Sequence, residues 1–367
     1  MSGAISFVKS WTLPISILTG IAGYYIYSSV SFFNTTHEAV KQAINIVQPI
    51  LIFAMLFLTF CKIKLSQLHF TRWHLWLLTI QISAFIGSIS ACLFVESALW
   101  KITLESFMLC LICPTATAAA VVTSKLGGNP ATLTTYTIII NFAVALTIPA
   151  FLPLLHPSAE QTFAHTFMLI ICKVFPLLFG PFLMAMFLRR FFPSFIQQLA
   201  NLHDLAFYLW AVALSLAIAM TVRTMVHIRC SAILMLCIAI VSAAACAIQF
   251  ALGRYIGRHY TEPISAAQSI GQKNTVFAIW MGYTFLSPIT SLAGGFYSVW
   301  HNIYNSWQLY HYQHENKECG KADYPSLGKS HVKQDKKMHD YVGYKEKSHY
   351  LCIAFKRKCR LEVWVSG

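Results

Sequence analysis

Long apolar runs, separated by short polar loops, dominate the first 310 residues of the chain. The hydrocarbon core of a bilayer is about 30 Å thick, and a helix needs roughly 20 apolar residues to cross it. By this criterion the pattern predicts ten membrane-spanning helices. They lie near 11–30, 43–61, 73–95, 104–125, 132–155, 163–188, 204–222, 231–252, 265–286 and 288–308. We therefore predict an all-α membrane protein.

Two of these apolar runs contain helix-breaking segments at matching places in the two halves of the chain. The first covers 113–117 and includes Pro114, and the second covers 271–275 and begins with Gly271. A broken helix leaves backbone N–H and C=O groups without partners, which a membrane tolerates only inside protein or beside a watery cavity. Two such breaks in corresponding positions are typical of secondary transporters.

The composition and the charge distribution of the chain are also typical of a membrane protein. Apolar residues make up 57% of the chain and charged residues 11%, against about 25% charged residues in soluble domains. The net charge is +14, and 12 of the 27 Lys and Arg residues follow Tyr310. The remaining basic residues fall mainly in loops on one side, which predicts a multi-pass protein of the cell (inner) membrane with both termini cytoplasmic. We expect the first apolar run to be a retained span.

The segment 311–367 differs from the rest in being basic, polar and without periodicity. We expect a disordered cytoplasmic tail that is separate from the transmembrane domain 1–310. An alternative is a polybasic tail attracted to anionic lipid.

Metal and enzyme chemistry have little support in the sequence. Cys110 and Cys113 form a C-x-x-C, but they lie among apolar residues without a second pair or a nearby His, whereas zinc needs three or four ligands. Residues 1–310 contain one Asp, Asp204, so a pair of catalytic aspartates is excluded there. We expect no enzyme activity and no metal cofactor, and the loop placement of the charges argues against nucleic acid as a partner.

Four motifs together resemble the bile acid:sodium symporter family. They are Cys113-Pro114 with the Thr- and Ala-rich run after it, Gly127-Gly128-Asn129, Gly271-x-x-Asn274-Thr275, and the run 296–303 that contains Trp300-His301-Asn302. The resemblance covers about residues 10–310. It implies two inverted five-helix repeats in which the fourth and ninth helices are unwound and cross at mid-membrane. It also implies a panel domain (spans near 11–61 and 163–222), a core domain (spans near 73–155 and 231–308) and an organic-anion cavity.

The chain departs from the family at the residues that the resemblance would make sodium ligands. Ala119 and Ala120 stand where the family has a Ser-Asn pair, and Leu133, Ser269 and Lys273 stand where it has Ser, Glu and Gln. Only Thr137 and Gln81 match. A hard cation needs several oxygen ligands to replace its hydration shell. Sodium remains a possible coupling ion, but most of its expected ligands are absent.

Lys273 is the most unusual residue of the second break. An ionisable residue at mid-membrane is expensive and normally has a function and a partner. We predict that its ammonium group replaces the coupling ion and donates to the Gln81 side-chain oxygen and to carbonyls around Ile270 and Gln272. Transport would then be independent of sodium. Two alternatives stay open: Lys273 could couple transport to protons, or it could only satisfy exposed carbonyl groups.

The remaining candidate residues surround the same two breaks. Pro114 and Gly271 are expected to shape the breaks, and Lys173, deep in the sixth span, is expected either to attract the substrate or to pair with a carbonyl. His301 is expected to be structural. The candidate substrate- or ion-binding residues are Lys273, Asn274, Thr275, Gln272, Ser269, Gln81, Thr115, Thr117, Thr137 and Lys173.

These observations predict a secondary transporter that moves a small organic anion across the lipid bilayer by alternating access. The alternatives are a membrane sensor that binds such a ligand without transporting it, and an ordinary sodium-coupled symporter.

Overall fold

The computed structural model describes residues 2–29, 37–63, 66, 68–155, 162–202, 205–227 and 231–320, and these residues are almost entirely helical. No β-strand occurs among them, and the one β-bridge is isolated. The α-helices are α1 (Ser2–Ser29), α2 (His37–Cys61), α3 (Arg72–Phe94), α4 (Ala98–Ile112), α5 (Ala119–Lys125), α6 (Pro130–Phe151), α7 (Phe163–Leu178), α8 (Gly180–Phe191), α9 (Pro193–Asn201), α10 (Leu205–His227), α11 (Ala232–Arg258), α12 (Pro263–Gly271), α13 (Thr275–Phe285) and α14 (Pro288–Gly320).

Several of these helices are suited to a bilayer. Five described segments are long and apolar enough to cross a membrane, and a sixth is added if the bent pair α7 and α8 counts as one span. The five are Gln42–Cys61, Arg72–Phe94, Pro130–Leu154, Tyr208–His227 and Ala232–Arg258. The chain is therefore an all-helical protein with the features of a membrane protein.

The two predicted helix breaks are present in the structure. Helix α4 ends at Ile112 and α5 begins at Ala119, while α12 ends at Gly271 and α13 begins at Thr275. Pro114 cannot donate a backbone hydrogen bond, which prevents α4 from continuing. Each apolar run predicted as one span near 104–125 and 265–286 is thus two half-helices.

A third interruption was not predicted. The run near 163–188 was expected to be one span, but α7 and α8 meet at a 45° bend around Phe179. Pro181 stands at the start of α8, where its missing N–H removes a helical hydrogen bond and favours a bend.

The first residues of the segment 311–367, which was predicted to be a disordered tail, differ from that prediction. Helix α14 continues to Gly320, so the beginning of the predicted disordered tail is helical. The described residues from 305 to 320 belong to a unit distinct from that of the described residues up to 304. The rest of the predicted tail, 321–367, lies outside the described residues, as does Asp204.

Several long helices pack on the half-helices of the two breaks. Helices α3 and α11 pack on α4, α11 packs along α12, and α2 and α10 pack on α13. The approach of α11 to α12 requires glycine, because a Cβ atom at Gly253 would lie 2.6 Å from the Ala266 carbonyl oxygen. One continuous apolar cluster includes Leu109, Ile112, Ile270 and Phe277. The breaks therefore lie inside the protein.

Candidate functional site

The two breaks cross and are joined through their backbones. Thr115 and Lys273 form an antiparallel β-bridge. The backbone N–H of Ala116 donates to the Gln272 carbonyl oxygen at 2.8 Å, and the N–H of Asn274 donates to the Pro114 carbonyl oxygen at 2.9 Å. Each unwound segment thus supplies the partners that the other lost when its helix ended, as a buried backbone requires.

The carbonyl groups at the end of the first half-helix are also satisfied from outside it. The last carbonyls of a helix have no intrahelical donors and carry partial negative charge, which makes such an end a natural cation site. Here every carbonyl of 110–114 accepts a hydrogen bond. The donors are Gln249 Nε2 to Cys110 (3.3 Å), Lys273 Nζ to Leu111 (3.1 Å), Gln81 Nε2 to Ile112 and Cys113 (3.2 and 3.1 Å), and Asn274 N to Pro114 (2.9 Å).

Lys273 is buried, as predicted, but its partner differs from the prediction. Its side chain is 2% exposed, and Nζ donates to the Leu111 carbonyl oxygen of the other break. It does not bond the Gln81 oxygen or the carbonyls of 270–272. The expectation failed because the two half-helices cross, so that the nearest free carbonyl belongs to α4 and not to the lysine's own segment.

Gln81 is held by a tyrosine that the sequence interpretation did not include. The Tyr136 hydroxyl of α6 donates to Gln81 Oε1 at 3.0 Å, and the Gln81 amide donates to the end of α4. Both side chains are buried. Because the amide oxygen is occupied by Tyr136, the Gln81 side chain acts as a brace for the first break.

A similar pair braces the second break. The Tyr297 hydroxyl of α14 donates to the Gly271 carbonyl oxygen at 2.8 Å and accepts from Gln249 Nε2 at 3.1 Å. Thr115 Oγ1 donates to the Ser269 carbonyl oxygen at 2.6 Å. Gln249 and Tyr297 were both missed as site residues. A lone buried amide in the apolar helix α11 was the available signal, since buried polar groups in a membrane find partners.

The other candidate residues have local roles in the structure. Asn274 caps α13 by accepting from the Phe277 N–H at 3.2 Å, and Thr137 donates to Leu133 within α6. Ser269 Oγ is buried with no hydrogen-bond partner among the described residues. Gly271 is required at its position, because an added Cβ would lie 2.5 Å from the Phe250 ring.

A cavity of about 500 Å³ adjoins the crossing. Its described lining contains three lysines and no Asp or Glu, and most of the remaining wall is apolar. At the crossing it is lined by Thr117, Gln272, Lys273, Asn274, Thr275, His301 and Asn302. Thr115, Ser269, Gln81 and Thr137 are buried nearby but do not line it. The structure therefore separates the candidates into residues that face the cavity and residues that support the crossing.

Two residues that line the cavity carry a buried polar atom with no partner in the described part of the chain. His301 Nδ1 and Gln272 Oε1 are buried and have no hydrogen-bond partner among the described residues. An unpaired buried polar atom costs about 1–3 kcal/mol. His301, expected to be structural, thus belongs to the cavity.

Lys173 does not join this site. Its side chain is exposed, and Nζ lies 5.8 Å from the centre of the Phe285 ring, a cation–π distance. It is absent from the lining of the cavity. Its predicted pairing with a carbonyl is replaced by this ring contact.

The residues present do not fit a metal ion. The described residues hold no group of three or more His, Cys, Asp or Glu side chains able to bind a metal. For sodium, the carbonyls of 110–114 already have donors, and Ala119 and Leu133 are buried apolar residues. A cation at this helix end would have to displace the ammonium of Lys273.

No protein-family model and no curated protein sequence matches the chain.

Proposed function

We propose that the chain is a sodium-independent secondary transporter of small organic anions, of the bile acid:sodium symporter type. The hydrogen bond from Lys273 Nζ to the Leu111 carbonyl oxygen carries this proposal. A covalently attached cation occupies the negative end of a half-helix, so this position has no need of a mobile cation. The ammonium group of Lys273 and the lack of Asp and Glu in the described lining of the cavity favour an anionic ligand.

We also propose that ten spans form two inverted repeats. The spans would be α1, α2, α3, α4 with α5, α6, α7 with α8, α10, α11, α12 with α13, and α14. The two Gln–Tyr pairs support this arrangement. Gln81 and Gln249 come from the helices before the two breaks, and Tyr136 and Tyr297 come from the helices after them. Each pair holds a carbonyl at the corresponding half-helix end, Cys113 in one repeat and Gly271 in the other.

The packing suggests how transport would occur. Helices α1, α2, α8 and α10 contact one another, and α3, α4, α11 and α12 form a second group. These groups correspond to the panel and the core. We propose that the core rocks against the panel in a cell membrane, with both termini cytoplasmic, and that the cavity beside the crossing is exposed alternately to the two sides.

Uptake by purified protein in proteoliposomes tests this function. Radiolabelled cholate and pantothenate would be supplied outside, in sodium or choline medium of equal ionic strength, with protein-free liposomes as the control. We expect accumulation of at least one anion at the same rate in both media. Accumulation only in sodium would overturn the role of Lys273. Saturable binding without accumulation would replace the transporter with a membrane sensor.

A further inference from the structure

Helix α9 is too short to cross a membrane. Its nine residues, Pro193–Asn201, extend about 14 Å at 1.5 Å per residue, whereas the hydrocarbon core of a bilayer is about 30 Å thick. It follows α8 after the single residue Phe192, and it packs on α8 and α2. Helix α9 therefore lies beside the end of the bent pair α7 and α8.

The side chains of α9 and its caps fall into three groups around the helix axis. Ile196 is buried in the apolar cluster, and Leu199 packs against that cluster. The opposite side is polar and exposed, with Ser194, Gln197, Gln198 and Asn201. At 3.6 residues per turn, an exposed apolar stripe lies next to the buried side and consists of Phe192, Phe195 and Leu202. A helix with a polar face and an exposed apolar face is typical of a membrane–water interface.

The exposed apolar stripe continues along α8. Leu183, Phe187 and Phe191 are four positions apart and exposed, and the ring centres of Phe187 and Phe191 are 4.7 Å apart. Helix α8 is half of the bent pair that can count as a span. In a span, this exposed apolar side would face lipid chains. Because the stripe of α9 extends the same surface, we expect lipid to cover it.

Two neighbouring arginines in the last turn of α8 have different environments. Arg189 Nη2 donates to the carbonyl oxygens of Phe60 and Cys61 at 3.1 and 3.2 Å, which joins α8 to the end of α2. Arg190 is exposed and makes no hydrogen bond or ion pair with the described residues. The described segment 162–202 also contains no Asp or Glu. The Arg190 guanidinium group is therefore available to an anion.

A phospholipid headgroup matches this combination of a charge and an apolar stripe. A guanidinium group can bind a phosphate through two parallel hydrogen bonds. Every phospholipid carries a phosphate, but in phosphatidylcholine the attached choline neutralises its charge. An arginine with no acidic neighbour in its own segment therefore favours a lipid with net negative charge.

We propose that Arg190 and the exposed stripe of α8 and α9 form a binding site for an anionic phospholipid. The guanidinium group binds the headgroup phosphate, and the acyl chains lie against Phe191 and Phe195. The described lining of the cavity includes no residue of α8 or α9. The site thus requires a membrane around the protein but does not depend on the proposed transport.

Photo-crosslinking in nanodiscs tests the site. The full chain would be reconstituted in phosphatidylcholine with a small fraction of phosphatidylglycerol or phosphatidylcholine that carries a photoreactive group in its acyl chain. Mass spectrometry after pepsin digestion would locate the labelled peptides. We expect the phosphatidylglycerol probe to label the peptides of α8 and α9 about fivefold more than the other probe, as one basic residue near a membrane surface allows. High salt should remove this preference because it screens the charge.

Arg190→Gln tests the charge, and Arg258→Gln is the matched control. Arg258 is also exposed and also lies in the last turn of its helix. The Arg190→Gln protein should be labelled equally by the two probes in α8 and α9, whereas the Arg258→Gln protein should keep the wild-type preference. A preference that survives in Arg190→Gln, or equal labelling of wild type, would overturn the assignment.

Phe195→Ser tests the apolar stripe, with Gln198→Ser on the polar face of α9 as its control. The first change should lower the labelling of α9 by both probes, and the second should leave it unchanged. Weak labelling of wild-type α9 by both probes would show that another occupant, such as a second copy of the chain, covers the stripe, and the proposal would be wrong.

Inorganic phosphate distinguishes the lipid from a soluble anion. Added at constant ionic strength, it should leave the preference for phosphatidylglycerol in place. Loss of the preference would show that Arg190 binds free phosphate, which also contradicts the proposal.

Discussion

Lys273 Nζ lies 3.1 Å from the carbonyl oxygen of Leu111, a residue 162 positions earlier in the chain. This contact joins the second break to the end of the half-helix that precedes the first. A hydrogen bond to a charged group contributes about 1.5–3 kcal/mol, and the helix end adds a favourable dipole term. The contact therefore fixes the two segments to each other without a bound ion.

Replacing Lys273 by Met should separate ligand binding from folding. The change leaves the Leu111 carbonyl unpaired, at a cost of about 1–3 kcal/mol, but it also removes a buried ammonium whose desolvation costs several kcal/mol. We expect the melting temperature in nanodiscs to change little and anion uptake to fall at least about tenfold, since a single charge-assisted bond can be worth that much. A fall in melting temperature with normal uptake by the remaining folded protein would indicate a purely structural lysine.

Lys273→Gln is the matched variant for sodium coupling. It introduces the residue that the resembled family has at this position, but Ala119, Ala120 and Leu133 still supply no oxygen ligands. We expect the ratio of uptake in sodium to uptake in choline to remain near that of wild type. A clear rise in this ratio would show that the lysine alone suppresses sodium coupling.

Helix breaks can be read from the sequence because their causes are local. Pro114 cannot donate a hydrogen bond, and glycine is a poor helix former. The burial of Lys273 also follows from its position in an apolar run. The bend between α7 and α8 was missed because Pro181 is tolerated in the first turn of a helix as readily as it bends one.

The partners of the polar residues could not be predicted in the same way. Sequence indicates that a buried ammonium or amide needs a partner, but the partner depends on which segments cross. Leu111, Tyr136 and Tyr297 are distant from their partners along the chain.

The two tyrosines that brace the breaks should make similar contributions to stability. Tyr297→Phe removes the donor to the Gly271 carbonyl, and Tyr136→Phe removes the donor to Gln81. Each change leaves a buried acceptor unsatisfied at a cost of about 1–3 kcal/mol. Both variants should lower the melting temperature in nanodiscs, whereas Tyr255→Phe, at a 62% exposed position, should not. Unchanged stability of both buried variants would refute the bracing role.

Gly271 should tolerate no side chain. In Gly271→Ala the new Cβ would lie 2.5 Å from the buried Phe250 ring, and overpacking of this kind costs about 1–3 kcal/mol. Gly87→Ala is the control, because nothing lies within 4 Å of its added Cβ and alanine is favoured over glycine in a helix by up to about 1 kcal/mol. Thermal unfolding in nanodiscs should show opposite shifts. Equal shifts would mean that the second break is not tightly packed.

Asn274 should contribute both to folding and to ligand binding, and a second asparagine cap allows the two effects to be separated. Asn274 caps α13, and Asn129 caps α6 by accepting from the N–H groups of Ala131 and Thr132. Replacement of either by Ala should cost about 0.5–2 kcal/mol. Asn274 lines the cavity and Asn129 does not.

Comparison of these variants tests the cavity directly. Both alanine variants should lose a similar amount of stability. The Asn274→Ala protein should nevertheless bind cholate more weakly in nanodiscs, while the Asn129→Ala protein should bind it with the affinity of wild type. Asn274→Ser should recover stability, because serine is also a good cap, without recovering the full affinity, since the shorter side chain lacks the amide. Parallel losses of affinity in both alanine variants would show that binding follows stability alone, and the cavity beside the crossing would then not be the ligand site.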